Sequence, residues 1–215
     1  TDLVGGDTSA SVNGLTISVT ATGDVDKDKI AYRSGAGAND LICLSGDLGA
    51  AYMGLHLLER EKRACGGQPD PKPKFEGHEY ILGRQLKPEA RTDIIERLAE
   101  AGIVPTSMID ITDGLASETL HLCKSSGCGA RIYLERLPIA RQTHDMAEEL
   151  HADPVVAALN GGQDYELLFT VPLSKQQEIF ALGVDVIGHV TAAGTGAMLV
   201  TPDGSEIALK APGWK

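Results

Sequence analysis

Met108-Ile109-Asp110-Ile111-Thr112-Asp113-Gly114-Leu115 is the stretch on which the reading of this chain turns. It opens apolar and β-branched, as a buried strand does. Two carboxylates follow, Asp110 and Asp113, with the Thr112 hydroxyl between them and Gly114 just after. The run Leu115, Leu120, Leu122 leads out as an amphipathic helix. The pattern predicts a strand that ends in an acidic turn and feeds a helix. Carboxylates held at such a turn are short, hard oxygen ligands on a rigid scaffold, which suits Mg²⁺ carrying phosphates. The competing reading is that Asp113 or Thr112 simply caps the helix.

Two further glycine-acid turns stand beside apolar runs. The chain opens Leu3-Val4-Gly5-Gly6-Asp7-Thr8-Ser9, where paired glycines let the backbone approach an anion closely. Asp7 could hold a metal there, with Thr8 and Ser9 donating to phosphate oxygens; the plainer alternative is a turn between two strands. The third is Asn160-Gly161-Gly162-Gln163-Asp164-Tyr165-Glu166, which runs straight into the buried strand Leu167-Leu168-Phe169-Thr170-Val171.

Working outward, Leu15 to Thr20 alternates apolar and polar and predicts a half-buried strand. Asn13-Gly14 before it predicts a hairpin with Val4 to Ser11. The charged connector Asp24 to Lys29 marks a boundary, so residues 1–30 are expected to be the last strands of a truncated N-terminal domain and residues 31–215 a C-terminal domain. Strands are expected at Leu41–Ser45, around Ile109, at Ala130–Leu134, Leu167–Val171, Val184–Val190, Met198–Thr201 and Ile207–Leu209. Helices are expected from Ala50, at Glu89–Ala101, from Leu115 to near Gly127, at Thr143–Leu150 and Pro154–Leu159, and at Ser174–Leu182 with Ser174 as cap. The irregular alternation and the late hairpins predict an α+β fold, a mixed sheet with helices packed on one face.

The 215 residues carry a net charge of −11, which speaks against a nucleic-acid surface because phosphate backbones demand clustered Lys and Arg. It does not speak against nucleotide binding, since bound Mg²⁺ inverts the local sign. No run approaches the ~20 apolar residues of a membrane helix. Cys43, Cys65, Cys123 and Cys128 have no zinc spacing and are expected to be free thiols in a reducing cytoplasm.

Five segments occur in an order that resembles the thiamine-monophosphate kinases, members of the aminoimidazole ribonucleotide synthetase-like superfamily. They are Gly5-Gly6-Asp7-Thr8, Tyr32-Arg33-Ser34-Gly35-Ala36, Asp40 to Gly49, Asp110 to Leu115, and Gly161 to Thr170. The resemblance spans nearly the whole chain; the Asp164-Tyr165-Glu166 segment and the closing Pro212-Gly213-Trp214 carry its kinase-specific part. It implies the C-terminal domain of that superfamily's fold and transfer of the γ-phosphoryl group of ATP to thiamine monophosphate, giving thiamine diphosphate. Carried over, Asp7, Asp110 and Asp113 match metal-ligand positions, with Asp110 and Asp113 at the reacting phosphates. Gly6, Asp7, Arg33 and Thr112 match ATP contacts, and Gln163 and Trp214 match positions near thiamine phosphate. Thr112 stands where the family usually has serine, and Gln163 where it more often has an acid; an amide can hydrogen-bond but cannot pair with a cation. The resemblance further implies Mg²⁺ as cofactor, a homodimer, and a preceding domain that supplies further aspartates. Another ATP- and Mg²⁺-dependent enzyme of the superfamily, of the aminoimidazole ribonucleotide or selenophosphate synthetase type, and a non-catalytic regulatory module are the alternatives.

Overall fold

A computed structural model describes residues 14–66 and 72–211. The chain divides into two compact units, Thr1–Ile30 and Ala31–Lys215. In the first, the expected strand over Leu15 to Thr20 is absent: residues 14–26 carry no regular structure, and Leu15, Ile17 and Val19 are exposed. An alternating run becomes a strand only where a neighbour completes its hydrogen-bond ladder and a face covers its apolar side. Among the described residues of this unit neither is present. The hairpin partner Val4 to Ser11 lies outside the described residues.

The second unit is built on a seven-stranded sheet. In chain order its elements are β1 (Leu41–Leu44), α1 (Ala50–Cys65), α2 (Glu79–Leu86), α3 (Thr92–Glu100), β2 (Ser107–Asp110), α4 (Leu115–Ser126), β3 (Gly129–Tyr133), α5 (Arg141–Glu149), α6 (Pro154–Asn160), β4 (Leu167–Val171), α7 (Gln176–Ala181), β5 (Asp185–Thr191), β6 (Ala197–Val200) and β7 (Glu206–Ala208). The strands lie in the order β2-β4-β1-β5-β3-β6-β7. All neighbours are antiparallel except β3 and β6. The expected mixed α+β sheet is therefore present.

Each residue of β1 is buried, because the central strand is covered on both sides. Ile42 and Leu44 join Ile109, Ile111, Leu115, Leu122, Ala158, Leu168 and Ile187 in one core, under α4 and α6. Leu41 and Cys43, pointing the other way, join Ile94, Leu98, Phe169, Val171 and Ile179 in a second core under α3 and α7. The helical cover thus extends to a second face over the β2-β4-β1 half of the sheet. A third apolar cluster, including Met53, Leu57, Ile81 and Met146, ties α1, α2 and α5 together.

Three helix starts differ from expectation, and α2 falls where no helix is expected; α5 begins at Arg141 rather than Thr143. Helix α3 begins at Thr92 rather than Glu89. Arg91, just ahead of it, is drawn inward by a buried carboxylate described below. Ser174 caps nothing: Leu173–Lys175 forms a 3₁₀ turn, and α7 starts after it without a side-chain cap. All four cysteines are free. Among the described residues no helix is long and apolar enough to cross a membrane.

Candidate functional site: an acidic turn closed by a glycine loop

Strand β2 lies at the sheet edge and ends at Asp110, which is exposed. The chain then turns through Ile111, buried in the core, and Thr112 before Asp113 returns to the surface. Gly114 makes the turn into α4 possible. Its φ is +111°, and a Cβ there would lie 2.6 Å from the Leu159 carbonyl oxygen. No side chain caps α4. The capping role that would have explained Asp113 or Thr112 without function is therefore not what they do.

The loop between α6 and β4 closes over this turn. Ile111 donates its N–H to the Glu166 carbonyl at 2.8 Å, and the Tyr165 and Gln163 amides donate to the Ile111 and Thr112 carbonyls at 2.9 and 2.8 Å. Gly162, at φ +70°, passes so near that a Cβ would sit 2.3 Å from the Thr112 oxygen. Gln163 and Tyr165 also lie in the left-handed region, at φ 62° and 54°. Non-glycine residues stay there only where surrounding bonds over-determine them. Here the Tyr165 hydroxyl donates to Gln163 Oε1 at 2.7 Å. The Gln163 side-chain carbonyl is thereby engaged, and its Nε2 donates to the Thr112 carbonyl at 3.5 Å, which leaves one amide hydrogen to offer a ligand.

Sequence reading missed Glu118. It lies one turn into α4, only 2% exposed, and its Oε1 accepts the Asp113 N–H at 3.3 Å. Its Oε2 has no hydrogen-bond partner among the described residues. Burial, with the Asp113 and Asp110 charges adding to it, pushes this carboxyl up to about 7. An isolated glutamate inside an apolar helical run carries no local signal; only the fold places it under the turn.

Behind the same loop lies a second set of charges that sequence reading also missed. Glu166, 1% exposed, is held by Arg84 at 2.7 Å, by Arg91 and by the Ser45 hydroxyl. Arg84 also donates to the Asp47 and Asp164 carbonyls, at 3.1 and 3.2 Å. Asp164 takes the Gly49 N–H on both oxygens, at 3.1 and 3.0 Å, and so caps the start of α1 from a remote loop. Burial pushes its carboxyl up to about 7 against that donor. Asp47 accepts from the Tyr80 hydroxyl at 2.6 Å, and burial with that bond keeps the phenol protonated. Arg84 and Arg91 flank Pro88 with no periodicity to mark them.

Of the expected site residues, Asp110, Thr112, Asp113 and Gln163 are thus brought together. Arg33 is exposed on the segment that runs along the free edge of β2, where the Met108 N–H donates to the Tyr32 carbonyl at 2.8 Å. Ser126 at the end of α4 accepts from both the Gly35 and Ala36 amides at 3.2 Å and fixes the same segment. Gly6, Asp7 and Trp214 lie outside the described residues. Among the described residues no group of three or more His, Cys, Asp or Glu could hold a metal directly.

This architecture defines a class: a mixed α+β sheet whose edge strand ends in an exposed acidic turn, locked under a Gly-Gly loop. The family model described as AIR synthase related protein, C-terminal domain, matches residues 37–201, and the chain belongs to that family. Among curated relatives, the thiamine-monophosphate kinase of Escherichia coli (strain K12) is 34% identical over 222 residues, covering 99% of this chain and 62% of that protein. That of Aquifex aeolicus (strain VF5) is 32% identical over 215 residues, covering 100% of this chain and 62% of that protein. The chain therefore spans less than two thirds of their length. The solved structure of AaThiL complexed with AMPPCP and TMP superposes with a TM-score of 0.68 at 32% identity, covering 86% of this chain and 53% of that one. The hydrogenase maturation protein HypE of E. coli shares the fold, with a TM-score of 0.61 at 19% identity over 86% of this chain and 53% of that one.

Proposed function

We propose that this chain forms the C-terminal part of an ATP-dependent thiamine-monophosphate kinase, an enzyme that converts thiamine monophosphate to thiamine diphosphate. The observation that carries this reading is the turn itself. Asp110 and Asp113 stand exposed at its two ends, their side chains engaged in no hydrogen bond or ion pair among the described residues. The names of the similar curated proteins, and of the AMPPCP and TMP complex, supply the substrates.

Two polyanions must meet in this reaction, and their repulsion is the main obstacle. Phosphoryl transfer asks the protein mostly for positioning and charge neutralisation. Hard carboxylate oxygens suit Mg²⁺, and Glu118 Oε2, buried and without a partner among the described residues, fits a hydrated cation above it. Asp110 and Asp113 would hold the ion, whose charge would neutralise phosphate, and the resemblance adds Asp7 as a further ligand position. Thr112 offers a hydroxyl between the two carboxylates. Arg33 would grip phosphate oxygens through its planar fork, which needs no deprotonation to act. Gly6 would let the backbone approach the nucleotide. The remaining Gln163 amide hydrogen would face thiamine phosphate, and Trp214 would stack on its cationic ring. On this reading residues 1–30 belong to a preceding domain, residues 31–215 are the C-terminal domain, and the full-length enzyme is a cytoplasmic homodimer.

Calorimetric titration with a non-hydrolysable ATP analogue, with and without Mg²⁺, tests the half-site. Mg²⁺-dependent binding that Asp110→Asn and Asp113→Asn abolish is expected; binding indifferent to both changes overturns the assignment. ADP release by the full-length enzyme with thiamine monophosphate, and none with formylglycinamidine ribonucleotide, separates this kinase from other superfamily enzymes.

A further inference from the structure

The Asp110–Asp113 turn contains two exposed carboxylates, and a third lies directly beneath it. Glu118 is 2% exposed and sits within electrostatic reach of both Asp110 and Asp113. Such a cluster is unfavourable in an apolar core, because a buried oxygen without a partner forfeits its hydration. One oxygen of Glu118 has a structural role, since Oε1 takes the Asp113 N–H at 3.3 Å. The other, Oε2, has no hydrogen-bond partner among the described residues. A purely structural role for the side chain would leave that oxygen unexplained, since an amide or an alcohol could accept the same N–H.

The three carboxylates do not form a direct common ligand set, because no such group of three could hold a metal among the described residues. A water on the ion is the natural link. Mg²⁺ keeps several of its waters when protein-bound, and those waters need acceptors. An ionised carboxylate is an acceptor only, so it suits a metal-bound water, whereas an amide nitrogen in its place cannot accept.

We propose that Glu118 is a positioning residue for the metal site: Oε1 fixes the turn at Asp113, and Oε2 accepts from a water bound to the cation held by Asp110 and Asp113. This rests on the proposed function only in needing a divalent cation at the turn. Partners in such an outer shell orient the ligands, and losing one typically weakens metal affinity ~10–100-fold.

Mn²⁺ is the probe, with free ion followed by electron paramagnetic resonance and metal-bound water by water-proton relaxation, on the 215-residue chain at pH 7.5. The variants are Glu118→Gln, Glu118→Asp and Asp113→Asn, each checked for folding by its thermal transition. Glu118→Gln keeps the volume and an acceptor for the Asp113 N–H while removing the acceptor for water. It should bind Mn²⁺ about tenfold more weakly and exchange metal-bound water faster. Glu118→Asp, which restores the charge, should recover part of both losses. Wild-type Mn²⁺ affinity and relaxation in folded Glu118→Gln, with Asp113→Asn weakened, would overturn the proposal and leave the metal site standing. Mn²⁺ binding that is absent in the wild type, or unchanged in Asp113→Asn, would overturn the metal site and this proposal with it.

Discussion

The acidic turn at Asp110–Asp113 and the charges around Glu166 lie on opposite sides of one loop and handle carboxylates in opposite ways. Glu166 is sealed from water and shared by Arg84, Arg91 and Ser45, so its charge is neutralised inside the protein. Asp110 and Asp113 are exposed, and the protein offers their side chains no partner among the described residues. A saturated carboxylate can hold a scaffold together but has nothing left for a ligand. An unsatisfied one adds little to stability, and its charge stays available. The loop from Gly161 to Glu166 joins the two: its Gln163 end frames the turn, and its Asp164 and Glu166 end is bolted to α1 and α2.

The comparison breaks most visibly at Glu166. Glu166→Ala leaves two arginines facing a buried gap, and removing one partner of a buried pair costs about 3–5 kcal/mol. Urea unfolding should show that loss; a change like that of a surface substitution would mean the network is not closed. Next is Asp164→Ala, which takes the remote cap from α1. Loss of a cap costs about 1–2 kcal/mol, and amide exchange in the first turn of α1 should quicken before that of the sheet.

Glu118 gives a pH-dependent test in metal-free buffer. Its folded carboxyl is raised from 4.5 to about 7. The folded state therefore holds a proton that the unfolded state has released, and stability falls as pH rises from about 4.5 to about 7, then levels off. Glu118→Gln should make this part of the profile of urea midpoint against pH shallower, leaving the fall that Asp164, raised to about 7, contributes over the same range; a profile parallel to wild type would place Glu118 in contact with water.

The smallest effect on stability belongs to Asp113→Asn. Exposed side chains without partners usually shift stability by less than about 0.5 kcal/mol, while Mg²⁺-dependent binding of the ATP analogue should be lost. A large drop in thermal midpoint would sharpen the comparison differently, by making Asp113 a scaffold residue as well.

Most of the sheet was legible because its signal is local. Leu41–Leu44, Leu167–Val171 and the strand at Ile109 read as apolar runs bounded by glycine, acid or proline, and each is a strand. The helices after Gly49 and Gly114 likewise followed from periodic apolar residues. Leu15 to Thr20 shows where the same logic fails: period-two alternation describes a strand's surface but does not provide its neighbour. At the site, Asp110, Thr112 and Asp113 could be found because a glycine marks the turn that holds them, and Gln163 through the resemblance of its Gly-Gly loop. Glu118, Arg84, Arg91 and Asp164 could not, since their roles depend on residues far along the chain.

The sequence by itself determined the acidic turn and the Gly-Gly loop, because turn chemistry and hydrophobic period act between near neighbours, and the resemblance of its five segments gave the family. Only the tertiary structure decided which carboxylates are saturated and which are free. That depends on which oxygens lose their water on folding and which donors reach them, and burial of this kind is a property of the assembled core rather than of any segment.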